Sequence, residues 1–161
     1  MKTVPANVID EVWHRVNDST PDRARALAER MQQEQPFVMV YLLAAEENTL
    51  DEEERGSLLM LGATIWEIMS EGNPPLRQVM DTELEAAEEA NVKVLQRMEE
   101  DSEIATGEAM RRLISDYNQM PLLGTVVEAL MEGHEREPDL APDNLGLSLV
   151  YLKTVIDCFD Q

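Results

Sequence analysis

Cysteine is nearly missing from this chain. Cys158 stands alone, so neither an intrachain disulfide nor a zinc site built on cysteines can form. Histidine is almost as scarce, with only His14 and His134 to offer an imidazole for catalysis or metal binding. Aromatic residues make up 4% of the chain, which leaves Leu, Met, Val and Ala to fill a core, and ten methionines suit soft, adaptable packing. Long apolar runs are missing too. The longest, from Leu58 to Trp66, falls far short of the ~20 residues that span a bilayer, and the opening MKTVPANVIDEVWHRV has no apolar signal core. These absences predict a soluble protein of a reducing, cytoplasmic compartment.

Positive charge is the remaining deficit. Thirteen Lys and Arg face 33 Asp and Glu, a net charge of -20. A field of that sign repels phosphate and anionic lipid, which argues against direct contact with nucleic acid or membrane. The excess is uneven: Lys2, Arg15, Arg23, Arg25 and Arg30 balance Asp10, Glu11, Asp18, Asp22 and Glu29, so the whole surplus of acid lies beyond residue 30.

What is present is helical. The stretch Leu50 to Gly72 sets an acid run, Asp51 to Glu54, before Leu58, Leu59, Met60, Leu61, Ala63, Ile65, Trp66, Ile68 and Met69. Those side chains surround nearly the whole circumference of a helix with ~3.6 residues per turn, predicting a helix covered on almost every side. Asp51 with Glu54 forms a capping box, and Gly72 followed by Pro74 and Pro75 ends the helix. Upstream, Val8, Ile9, Val12, Trp13 and Val16 share one face of a helix from Ala6 to Val16. Pro21 opens a second with the face Ala24, Leu27, Ala28 and Met31, and Pro36 a third through the apolar run Phe37 to Ala45. A long helix follows from Pro75 to Glu100, with Asn91 as the one polar residue on its apolar face. Three more are expected at Ser102 to Asn118, Pro121 to Glu132 and Pro142 to Asp160. No strand alternation survives, so the expected fold is a single all-α domain, 1–161, a bundle of about eight helices.

The second half repeats the first. The spacing of Ala24, Leu27, Ala28 and Met31 returns in Met110, Leu113, Ile114 and Tyr117, and Pro36 is answered by Pro121. Phe37, Val38, Tyr41 and Leu42 correspond to Leu122, Leu123, Val126 and Val127, where Thr125 and Glu128 break the apolar run with helical spacing. Leu50, Gly56, Leu59 and Thr64 correspond to Leu140, Gly146, Leu149 and Thr154. Helix one matches the end of the long helix loosely, Val12 and Trp13 against Val94 and Leu95. Two related four-helix units about a pseudo-two-fold follow, near 6–72 and 88–161, joined by the long helix 75–100. The paired Gly56 and Gly146 predict a close helix crossing in each unit, since glycine inside a helix costs ~1 kcal/mol against alanine.

Reactive constellations are thin. Glu11 and His14 form a Glu-x-x-His pair on one helix face, but a di-iron bundle needs a second such pair, and none exists. Glu85 with Glu88, Glu100 with Glu103 and Glu132 with Glu135 give the Glu-x-x-Glu half of a magnesium pattern found in all-α nucleotide pyrophosphohydrolases. Its Glu-x-x-Asp half occurs nowhere. Cys158 lies on the apolar face of the last helix, beside Ile156 and Phe159, as a small core residue. No nucleophile elbow, phosphate loop or dinucleotide fingerprint is present. The sequence therefore assigns no catalytic, cofactor-binding or metal-ligating residue. Its leading expectation is a non-catalytic protein-protein interaction or regulatory module acting on a protein partner or as a homodimer. The alternatives are a charge mimic of nucleic acid that inhibits a basic partner, and a metal-dependent helical-bundle enzyme.

Overall fold

A computed structural model describes residues 1–45, 49–100, 115–136 and 142–161. Every regular element among them is a helix. In chain order these are α1 (Ala6–Asn17), α2 (Pro21–Glu34), α3 (Pro36–Leu43), α4 (Glu52–Gly72), α5 (Asp81–Glu100), α6 (Met120–Arg136) and α7 (Pro142–Phe159). The helix expected at Ser102 to Asn118 falls largely outside the described residues.

Local chemistry accounts for most of the ends. Thr20 caps α2 by accepting the Arg23 N–H, with Pro21 at the first helical position. Asp51 and Glu54 form the expected capping box at 2.8 Å in both directions, and α4 ends at Gly72. From Leu58 to Ser70 no α4 residue is exposed. Trp66, Ile65, Ile68 and Met69 are wholly buried, so this helix is the centre of the core. α1 and α2 pack on it from one side, α3 and α7 from others, and α5 and α6 pack on α7.

Two expectations need correcting. The long helix begins at Asp81, not at Pro75. Glu83 reaches back to accept the Met80 N–H at 2.9 Å, and Arg77 holds the same carboxylate, so the helix starts six residues later than the prolines suggest. Met80, expected on the apolar face, is consequently an exposed cap residue. The close crossings also lie elsewhere. A methyl group on Gly56 would meet nothing within 4 Å and one on Gly146 only ordinary contacts, whereas at Gly62 it would collide with Leu42 and at Gly72 with Val4 Cγ2 at 2.7 Å.

Residues 76–80 form an extended arm in place of the expected helical turns, residues 1–5 form another ahead of α1, and each is held by a buried glutamine. Gln35 Oε1 accepts the Val79 N–H at 2.9 Å while its Nε2 donates to the Arg77 carbonyl at 2.9 Å. Gln119 Oε1 accepts the Val4 N–H at 3.0 Å while its Nε2 donates to the Lys2 carbonyl at 3.1 Å. Each glutamine is the residue before a helix, its own carbonyl accepting from Met39 or Leu123 four residues on. Val4 and Val79 are both fully buried by this grip.

Candidate functional site

The apolar helices do not cover one another completely. Along α4 the positions Glu53, Ser57, Met60, Leu61 and Thr64 share a face, and that face forms the floor of a half-open groove of about 610 Å³. One wall is the end of α1, with Trp13 and Val16, continued by Ser19 and Ala24. The other is built from Ala129, Leu130 and Gly133 of α6 and Asn144, Leu145 and Ser148 of α7. Trp13, Val16, Met60, Leu61, Leu130 and Leu145 are only half-buried here, although each sits on the apolar side of its helix. The apolar stretch of α4 that begins at Leu58 is thus short of cover along this face, where the sequence predicted cover on almost every side.

The groove is chemically graded. Its deep end is lined by aliphatic and aromatic carbon, and Thr64 turns its hydroxyl back to the Met60 carbonyl at 2.7 Å, so it presents little free polarity. The other end carries Glu53 and Glu54. Glu54 is engaged by neutral donors, the Asp51 N–H and Asn144 Nδ2 at 2.9 Å, and among the described residues no Lys, Arg or His lines the groove.

The residues singled out for chemistry are not brought together. Glu11 and His14 are both exposed on α1, and His14 Nδ1 lies 2.7 Å from its own helix's Asp10 carbonyl. Glu85 is exposed and Glu88 half-buried on α5, Glu103 lies outside the described residues, and among the described residues no three His, Cys, Asp or Glu cluster as metal ligands. Cys158 is fully buried, and that burial, aided by Asp157, pushes its thiol up to about 12.

Polar clusters elsewhere are closed on themselves. Asp157 accepts from Tyr117 Oη at 2.6 Å, Asn91 Nδ2 at 2.9 Å and Lys153 Nζ at 2.7 Å, while Asn91 also donates to Thr154. Burial first, then Asp157, raises the Tyr117 phenol well above its ordinary range. On α4, Glu67 pairs with Arg15 and Arg30, whose guanidinium also lies over the Trp66 ring at 5.2 Å. Both clusters lock helices together and leave no reactive group free. A smaller apolar patch, Val40 and Leu43, is exposed on α3.

Among the described residues no helix is long and apolar enough to cross a membrane. No protein family, no curated protein and no solved structure matches the chain.

Proposed function

We propose that this chain is a non-catalytic, acidic helical protein that works by docking a protein partner in the groove beside the start of α4. The supporting observation is the groove itself: half-buried apolar side chains from α1, α4, α6 and α7 converge on one open trough. Buried hydrophobic anchors surrounded by a polar rim are what partner recognition requires. The fitting test is affinity capture from native cells with the wild-type chain and Gly133→Trp side by side. Gly133 is exposed on the groove wall and a methyl group there meets nothing within 4 Å, so a bulky side chain at this position starts from open space at the groove and not from the core. Proteins captured by the first and lost with the second support the role, and an unchanged set refutes it. A cytoplasmic location belongs to the same proposal, and self-association through a second copy is the alternative to a separate partner.

The fold behind this role is a duplicated one, in our reading. Gln35 and Gln119 support it, since each precedes a helix and each grips an arm through an N–H and the carbonyl two residues before it. The pairing Lys2 with Arg77 and Val4 with Val79 makes α1 the counterpart of the start of α5, rather than of its end as the hydrophobic pattern suggested. The halves then exchange arms, and the second begins at residue 76. At the positions answering to Leu61 and Thr64 stand Tyr151 and Thr154, where Tyr41 packs on Tyr151 with ring centroids 5.1 Å apart. One half has filled that space and the other has left its groove open.

A charge mimic of nucleic acid is the alternative role. Its support is a row on α5, Asp81, Glu85 and Glu89, all exposed and one turn apart, although Lys93 neutralises the last at 2.6 Å. Capture of a basic nucleic-acid-binding protein that survives Gly133→Trp but is lost on Glu85→Lys favours this role over groove docking.

A further inference from the structure

We infer that the occupant of the groove is a basic amphipathic helix of a partner protein, an assignment that rests on the docking role proposed above and gives it a ligand class. Length comes first. From Glu53 to Thr64 the floor runs along three turns of α4, ~16 Å, which is a trough for an elongated ligand rather than a socket for a compact one. A trough bounded by helices accepts another helix laid along it, with anchors at i, i+3 or i+4, and i+7. Width agrees. Ala129 and Gly133 stand one turn apart on the α6 wall, and the open space above Gly133 lets an incoming backbone approach.

Charge then selects among helices. Glu53 is exposed, and Glu54 accepts from an N–H and an amide, so among the described residues neither carboxylate is paired with a cation. Among the described residues no basic side chain lines the groove, and the chain as a whole carries -20. A second copy carries the same net charge of -20 and offers at best the charge-balanced residues 1–30, whereas Lys and Arg on the flank of an amphipathic helix would meet Glu53 and Glu54 as its apolar side covers Met60, Leu61 and Leu130. Complementary charge also steers the encounter, so association is fast and sensitive to salt.

The test is a display library of helical peptides, ~14 residues long, panned on the intact chain, with the winners titrated against wild type, Gly133→Trp and Glu53→Arg. We expect winners with net positive charge and apolar residues at helical spacing, weakened about tenfold or more by Gly133→Trp. Glu53→Arg weakens them roughly threefold, and exchanging the peptide's matching Lys for Glu restores binding. Neutral or acidic winners that are still lost on Gly133→Trp overturn the basic class while leaving the groove as an interface. Winners indifferent to Gly133→Trp, or no winners at all, overturn both.

Discussion

Gln35 accepts the Val79 N–H at 2.9 Å across 44 residues of sequence. An amide side chain with almost no exposure thereby supplies what a neighbouring strand would give, a donor and an acceptor to the same extended backbone. Gln119 does the same for the arm that begins the chain. Truncating Gln35 strands the buried Val79 N–H and the Arg77 carbonyl, and truncating Gln119 strands the buried Val4 N–H while the Lys2 carbonyl keeps Asn73 Nδ2 at 2.9 Å; a buried N–H is costly to leave unpaired. Gln35→Ala and Gln119→Ala should each lower unfolding free energy by about 2–4 kcal/mol in urea titration. In Gln119→Ala the Val4 amide should also exchange with solvent faster than in the wild type, while the Val79 amide keeps its protection.

The helical glycines separate into two kinds. Gly56→Ala places a methyl group in open space on an exposed face of α4 and should stabilise by up to ~1 kcal/mol through helix propensity alone. Gly62→Ala gains the same propensity but drives a methyl group into Cδ1 of Leu42, the end of a fully buried side chain that must shift within the core. Overpacking of that kind costs ~1–3 kcal/mol, so the net effect should be destabilising. Paired melting curves showing both variants shifted in one direction would contradict the packing described for α3 on α4.

Cys158 gives a chemical readout of the core. With its thiol raised from 9.0 to about 12 by burial, it should be inert to a disulfide reagent at pH 8 in the folded protein and react only as fast as the chain opens. The same shift fixes a direction with pH. A folded thiol that holds its proton more tightly than the unfolded one contributes stability that is complete below pH 9 and is lost as pH rises towards 12. The phenols of Tyr41 and Tyr117, raised chiefly by burial, act in the same sense at higher pH. Alkaline titration should therefore show stability falling from about pH 9, with a slope reaching ~1.4 kcal/mol per pH unit from the thiol. Cys158→Ala should flatten its first part.

Helix identity was legible wherever the chain stated it locally. The capping box of Asp51 and Glu54, Pro21 and Pro36 at helix starts, and the apolar faces of α1 and α2 all depend on residues within a turn or two of one another. What escaped notice depends on partners distant in sequence. Nothing in the composition of residues 1–5 or 76–80 distinguishes an arm from a helical turn, because the glutamine that straightens each arm lies 115 or 44 residues away. Asn91 looked like a flaw in an apolar stripe for the same reason, its partners Thr154 and Asp157 being on the last helix. The groove was only half visible: a uniformly apolar α4 signals a need for cover, but which turns lack it is set by how α1 and α7 cross over it.

Amide hydrogen exchange on the intact chain, free and bound to a captured partner or selected peptide, tests the docking surface most directly. Protection should rise on binding in segments covering 53–64 of α4 and 129–133 of α6, and remain unchanged on α3 and along the outer face of α5. Protection gained along Asp81 to Glu89 with none at 53–64 would contradict the groove and point to the acidic row.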